Sequence, residues 1–326
     1  MHRLHAKILP SNPIKPVKRN IHGVLLLDKP YGISSNKAVQ VAKRIFSAAK
    51  CGHTGTLDPM ATGLLPLCFG EATKFSSVLL GANKAYEATL KLGFLSTTGD
   101  AEGEISRLAA NTGNLTLSQC EQALKHFIGR IMQIPPMYSA LKHQGKPLYI
   151  YARNGETIER PAREVFIHAI QIKSLINDEL QLDIQCGTGT YIRTLAEDIG
   201  KALGCGGAYL TQLKRTVIDC FDLSQTQPLQ ALQEMDATER AHCLLPIDSL
   251  LQEFPVITLD EVAALHIVQG RLISSPSDIS SMMAEGNTVR LYNQKQQFLG
   301  LGEMMNEQKI IAKRLLANSE LLGIAV

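Results

Sequence analysis

The chain of 326 residues has no tryptophan and only 17 other aromatic side chains. A recognition surface built from rows of stacked rings is therefore not the first expectation. No run of about 18 apolar residues occurs, which excludes a conventional membrane-spanning helix. No two of the seven cysteines (Cys51, Cys68, Cys120, Cys186, Cys205, Cys220 and Cys243) form a C-x-x-C pair. Odd in number and widely spaced, they suit neither a disulfide framework nor a zinc site, and they favour a reducing, cytoplasmic compartment. The N-terminus lacks the apolar stretch of a signal peptide. Acid is scarce at that end too. Residues 1–50 hold ten Lys or Arg against the single acid Asp28, a net +9, while the remaining 276 residues carry 23 basic and 29 acidic side chains, a net −6. The overall +3 hides a cationic arm that suggests a polyanionic partner.

What is present reads as a folded protein. An apolar share of 45% and a charged share of 19% are ordinary for globular chains and exclude disorder over most of the length. Residues 1–20, with Pro10, Pro13, Pro16, five basic side chains and no acid, read as an unstructured basic leader. The apolar run Gly23–Asp28 suits a buried strand, and Ser34 or Ser35 can cap a helix whose apolar positions are Val39, Ala42, Ile45 and Phe46. A helix is expected from Glu71 to Leu80. Tyr86, Ala88, Leu90 and Leu92 alternate with Glu87, Thr89 and Lys91 as in a half-buried strand. Ser118 and Glu121 have capping-box spacing ahead of a helix burying Cys120, Ala123, Leu124, Phe127 and Ile128.

Residues 133–163 form a long, Pro- and Gly-rich excursion with mostly positive charge (Lys142, Lys146, Arg153, Arg160 and Arg163) and one short helix around Leu148–Arg153. Strands are expected at Val165–Ile172, Leu180–Cys186 and Leu213–Cys220, and a helix opens at Gly187-Thr188-Gly189-Thr190 and ends at Gly204. Residues 224–250 read as helical. A boundary near 250 separates a catalytic-sized domain, 21–250, from a small, mainly β tail, 251–326. The irregular order of strands and helices favours an α+β fold over a doubly wound sheet.

Three segments could carry chemistry. Gly52-His53-Thr54-Gly55-Thr56-Leu57-Asp58-Pro59, followed by Ala61-Thr62-Gly63, offers one carboxylate, one imidazole and three hydroxyls. Asp58 has no acidic neighbour before Glu71, so neither the carboxylate pair of a glycosidase nor a metal-ligand set is evident. A lone carboxylate in a neutral loop suits a nucleophile held ionised by a nearby cation. A plain Asp-Pro turn is the bland alternative. Cys186-Gly187-Thr188-Gly189-Thr190-Tyr191-Ile192-Arg193 lacks the third glycine of a dinucleotide fingerprint. It remains a reasonable anion site, and Arg193 could pair with Asp58 or with a phosphate. Leu213-Lys214-Arg215-Thr216 places two adjacent cations before a strand, where they can hold phosphates.

Gly23–Pro30, Gly52–Pro59, Tyr86 opening a strand, Met137-Tyr138-Ser139-Ala140-Leu141-Lys142, Gly189–Arg193 and Leu213–Thr216 occur in this order. Together they resemble the bacterial tRNA pseudouridine synthases that modify uridine 55 of the T-loop. The resemblance covers about residues 21–250, and the tail is similar to the small PUA-like β module many of these enzymes carry. It implies a mixed, largely antiparallel sheet with flanking helices, tRNA as partner, no required protein partner, a monomer, and no cofactor or metal. It implies that Asp58 is the nucleophile, that Tyr86 stacks on the flipped base and is a candidate for proton transfer, and that Arg193 pairs with Asp58. By the same resemblance Tyr191 and Leu213 line the uracil pocket, His53 helps extrude the nucleotide, and Lys29 lies near the same site. The excursion 133–163 would clamp RNA, with Lys142, Lys146, Lys214 and Arg215 toward its backbone. Lys214 departs from the pattern, since relatives commonly have Arg there. The competing readings are an RNA-binding or tRNA-folding module and a nucleotide-binding enzyme using Gly187–Arg193.

Overall fold

The computed structural model describes residues 18–108, 115–275 and 284–317; most of the basic leader lies outside the described residues. The strands, in chain order, are β1 (Gly23–Lys29), β2 (Cys51–His53), β3 (Thr62–Phe69), β4 (Lys84–Leu92), β5 (Phe94–Ser96), β6 (Ile105–Arg107), β7 (Gly129–Gln133), β8 (Lys142–His143), β9 (Lys146–Pro147), β10 (Arg163–Ile176), β11 (Glu179–Cys186), β12 (Ala208–Ile218), β13 (Phe221–Asp222) and β14 (Gln227–Pro228). The tail adds β15 (Val256–Leu259), β16 (Ile273–Ser274), β17 (Thr288–Asn293), β18 (Phe298–Met305) and β19 (Lys309–Leu315). The helices are α1 (Ser35–Ile45), α2 (Leu117–Leu124), α3 (Leu148–Arg153), α4 (Ile192–Ala202), α5 (Leu229–Glu234), α6 (Ala237–His242) and α7 (Glu261–Val268).

The large sheet runs β14-β1-β3-β12-β4-β11-β10-β7, with β2 on β3 and β13 on β12. Only β1–β14 and β3–β12 are parallel among its pairings, so the sheet is mixed and largely antiparallel, as expected. Alternation explains its faces. Tyr86, Ala88 and Leu90 of β4 point into the same apolar cluster as Leu182 and Ile184 of β11, Leu210 and Leu213 of β12, and Ile192, Leu195 and Ile199 of α4. The parallel join of β3 to β12 is very close. A Cβ at Gly63 (φ +95°) would stand 2.3 Å from the Arg215 carbonyl oxygen, so a larger residue would push the two strands apart.

Helix α1 begins where Ser34 accepts a hydrogen bond from the Lys37 N–H (3.2 Å), and it buries Ala38, Val39 and Ala42. Four expectations need correction. The helix expected from Glu71 to Leu80 is two short 3-10 turns, Gly70–Lys74 and Val78–Leu80, and Phe75 and Leu79 both enter one cluster. The cap of α2 is Thr116 with Gln119, two residues ahead of the expected Ser118 and Glu121. Ile128, beyond the end of that helix, is exposed. The helix after Cys186 starts only at Ile192, with Tyr191 in the capping position. The expected short helix at Leu148–Arg153 is α3, which follows the small hairpin β8–β9.

The tail forms its own sheet, β15-β17-β18-β19-β16, around Ile257, Ile267, Val289, Leu291 and Ile310. Helix α7 is the one α-helix among the described residues of this mainly β tail. The tail also shares a second apolar cluster with the large sheet, in which Leu301 and Phe298 meet Val24, Leu26, Phe75 and Leu251. No helix among the described residues is long and apolar enough to cross a membrane.

Candidate active site

Asp58 occupies the connection between β2 and β3, and that connection is fastened from both sides. The buried Ser35 hydroxyl accepts from the Leu57 N–H (2.8 Å) and donates to the Leu57 carbonyl (2.9 Å). Beyond Asp58, the Lys29 ammonium donates to the Pro59 carbonyl (3.2 Å), as well as to Pro30 (2.9 Å) and Ile33 (2.6 Å). Leu57, Met60 and Ala61 are buried, and the Ala61 N–H closes a turn onto the Asp58 carbonyl (3.1 Å). The carboxylate is thus held by its neighbours' apolar anchors and not by its own backbone alone.

Arg193, on the first turn of α4, meets it. Its Nε lies 3.0 Å from Asp58 Oδ2, and its Nη2 donates to Asp58 Oδ1 (3.3 Å), a two-pronged pairing. The remaining guanidinium donors bind the carbonyls of Tyr138 (2.7 Å) and Thr98 (2.9 Å). Arg193 is 5% exposed, while a third of the Asp58 side chain is open, so the pair presents its anionic end outward. Burial pushes the Asp58 carboxyl up; Arg193 opposes that shift, Asp100 adds to it, and Lys29 opposes it.

Asp100 was not anticipated from the sequence. It is buried, its Oδ2 lies 3.9 Å from Arg193 Nε, and it accepts from Thr98 Oγ1 (2.5 Å) and the Glu102 N–H (3.1 Å). Burial, then Asp100 and Asp58, push the neighbouring Glu102 carboxyl up. Close approach explains Gly99 (φ +78°): a Cβ there would stand 3.1 Å from Arg193 Cβ. The Thr97-Thr98-Gly99-Asp100 wording was the available signal, but the fold alone brings that turn 93 residues forward to Arg193.

Tyr86 is 8% exposed and pairs in register with Arg215 on β12 and Ile184 on β11. Burial pushes its phenol up, against the pull of Arg215. Leu213 is buried next to Ala88 and also lines an open crevice of about 630 Å³ with Tyr31, Met60, Thr62 and Lys214. A second crevice of about 770 Å³ shares Thr62 and Lys214 with it. Lys214 therefore stands on the wall between two solvent-filled grooves. His53 is half-buried, and its Nδ1 accepts from the Gly55 N–H (3.3 Å), which leaves the proton on Nε2. Burial, then Arg215, lower its pKa, so the ring is neutral. The Tyr191 main chain is bracketed by the buried Gln133, which accepts from its N–H (3.1 Å) and donates to its carbonyl (3.4 Å).

Two expected contacts fall elsewhere. Lys29 is fully buried with its three donors on backbone carbonyls, so its ammonium braces the Asp58 loop, and the residue also borders the second crevice. Burial lowers its pKa to about 8. Arg215 is 1% exposed and cannot reach an RNA backbone as the chain stands; its Nε donates to the Leu64 carbonyl (2.8 Å) and its Nη2 to Gly55 (3.2 Å). Strand alternation is the reason, since Lys214 and Arg215 point to opposite faces. Lys142 and Lys146 are exposed on the hairpin β8–β9.

The N-terminal domain of the TruB family of pseudouridylate synthases matches residues 43–192, the tRNA pseudouridylate synthase B C-terminal domain matches 193–252, and the C-terminal module of pseudouridine synthase II TruB matches 255–316. The chain is 57% identical over 302 residues to the tRNA pseudouridine synthase B of Nitrosospira multiformis, covering 92% of this chain and 96% of the relative. It is 51% identical over 303 residues to the protein of that name from Nitrosomonas europaea, covering 92% and 98%. A solved Cbf5-Nop10-Gar1 complex contains a chain of similar fold, with a TM-score of 0.69 at 24% identity over 91% of this chain and 84% of that one.

Proposed function

The chain belongs to the TruB family and is a tRNA pseudouridine synthase, and we propose that it isomerises uridine 55 of the T-loop with Asp58 as nucleophile. The observation that carries the reading is the pairing of a part-open Asp58 with the buried Arg193 guanidinium. Burial favours the protonated acid, a poor nucleophile, and Arg193 opposes that shift at the one end that a sugar can reach.

A base inside a folded loop must leave its stack before attack. Asp58 then attacks C1′ of the ribose and the N1–C1′ bond breaks; the uracil turns, C5 forms the new bond to C1′, and the Asp58–C1′ bond breaks to free the carboxylate. C5 loses a proton and N1 gains one. Nothing is oxidised or hydrolysed, so the reaction calls for no cofactor and no metal. Tyr86 stacks on the turning base and takes the C5 proton. Tyr191 and Leu213 line the base, and the apolar cluster behind Leu213 excludes competing water. His53, uncharged and at the rim, fills the vacated stack. Tyr86 and Leu213 are each less than a tenth exposed, so admission of the base includes displacement of what covers them.

Lys142, Lys146 and Lys214 are the exposed or groove-lining cations for the RNA backbone. The excursion 133–163 clamps the loop, and its Tyr138 carbonyl on Arg193 joins the clamp to the reacting pair. Residues 21–250 act as the catalytic domain and 251–326 as a small RNA-binding module, in a monomer working in the cytoplasm. The test is mapping of pseudouridine in tRNA after incubation with the purified protein and with Asp58→Asn. Product at position 55 only with the unaltered chain is expected. Product at another position overturns the site assignment, and unchanged product with the variant overturns the nucleophile.

A further inference from the structure

Arg215 is the largest fully buried side chain of the described residues, and it has no carboxylate within ion-pair distance among them. Burying a guanidinium without a counter-ion is unfavourable, and a well-packed apolar residue at such a site is often neutral or better for stability. Its fixed contacts are neutral oxygens: the Leu64 carbonyl at the start of β3 and the Gly55 carbonyl three residues before Asp58. On β12 it stands directly across from Tyr86, so the two side chains share one face of the sheet, and its charge favours the phenolate against the push of burial.

We propose that Arg215 is a positioning residue, which ties the Asp58 loop to β3 beside Tyr86 and supplies the positive charge that stabilises a Tyr86 phenolate. The proposal rests on the reading that Tyr86 takes the C5 proton. The step balances without a further reactant. Tyr86 first gives its own proton to solvent. The phenolate then accepts the proton from C5, the C5–H electron pair restores the double bond of the ring, and N1 takes a proton from solvent. A phenolate is an anion in an apolar cluster, and Arg215 is the cation already there.

The charges that face this pair are few. Tyr86 feels Arg215 from β12, the Cys186 thiol from β11 and Asp58 from the loop; Arg215 also acts on His53, Lys29 and Lys84. Cys186 is pushed up to about 11 by burial and stays neutral at working pH. Asp58 opposes the phenolate, so Arg215 is the favourable partner. Its removal should move Tyr86 ionisation to higher pH.

The experiment uses the full chain with tyrosine labelled at Cζ with 13C, the Tyr86 signal being identified by its loss in Tyr86→Phe. Arg215→Lys keeps a charge but lacks the fork that spans the Leu64 and Gly55 carbonyls together. Arg215→Met removes the charge. We expect tRNA affinity within about twofold, kcat lower by roughly 10- to 100-fold, and the Tyr86 signal titrating at higher pH. Site-specific 3-fluorotyrosine at position 86, a more acidic phenol, should recover part of the kcat lost in Arg215→Lys. If Arg215→Met does not fold, Arg215→Lys and its fluorotyrosine rescue carry the test. An unmoved Tyr86 signal, or a kcat loss with no rescue, assigns Arg215 to structure alone and overturns the proposal. If Tyr86→Phe itself keeps full kcat, the proton reading of Tyr86 fails first, and the two failures are told apart.

Discussion

The cations around Asp58 and those of the excursion 133–163 carry the same charge in opposite surroundings. Arg193, Arg215 and Lys29 are each 5% exposed or less and have their donors on fixed oxygens. Lys142, Lys146 and Arg153 are exposed. Buried charges act through a low dielectric on groups a few ångström away, so they set which atoms are ionised. Exposed charges are screened beyond about 10 Å at 0.1 M salt and act on a polyanion mainly by releasing its counterions. The first group should therefore govern rate and pH dependence, the second affinity and salt dependence.

The sharpest way to break that division is Asp58→Asn. Turnover should fall at least ~10³-fold with tRNA binding and its salt slope kept; a comparable loss of binding would mean that the buried site also holds the RNA. Arg193→Gln comes next, with kcat lower by about 10²- to 10³-fold. If the ionised Asp58 is the nucleophile as proposed, the unaltered enzyme should lose activity on acidification at a pH above that of an ordinary Asp, because burial raises its carboxyl. Without Arg193 the lowering influence is gone, so this acid limb should move to still higher pH in a pH–rate profile. A limb that stays put would detach Arg193 from Asp58 ionisation. For the exposed group, the double variant Lys142→Ala, Lys146→Ala should leave the pH profile alone and reduce the slope of log affinity against log salt by about 1.5. The smallest effect is expected where the regions meet. Gln133→Leu frees the Tyr191 main chain at the root of the excursion, and a change of about threefold in both KM and kcat, roughly 0.7 kcal/mol each, is expected. An effect on one alone would place Gln133 in a single region.

Much of this was legible in the chain. The need of a lone carboxylate for a cation left Arg193 open between Asp58 and a phosphate, and the resemblance pointed to Asp58, which it does meet. The strand through Tyr86 followed from alternation, and the α+β class from the irregular order of strands and helices. What was not legible depended on distance in sequence or on one residue of register. Asp100 joins the site only because the β5–β6 pair returns its turn to α4. Arg215 read as a phosphate contact because two adjacent cations look alike on paper. The period of two already required that Lys214 and Arg215 part company, and only packing decides which of them goes inward. Thr116 displaced Ser118 as a cap for a similar reason: both carry a hydroxyl, and the first turn forms where Cys120 and Leu124 can both be buried.

The seam between the two sheets has a thermal consequence. Phe75 and Phe298 meet ring to ring (5.7 Å between centroids), the Tyr292 hydroxyl donates to Asp248, Lys74 donates to the Leu315 carbonyl (3.1 Å), and Glu71 accepts from the Ala317 N–H (2.7 Å). Neither sheet can unfold without opening a cluster that the other helps to close. The two should melt in one cooperative transition, with a single calorimetric peak. A chain cut before Val256 should melt lower and aggregate through the uncovered Phe75 face. The seam thus makes the tail a structural partner of the large sheet, because its loss would uncover apolar side chains of β1 and β3.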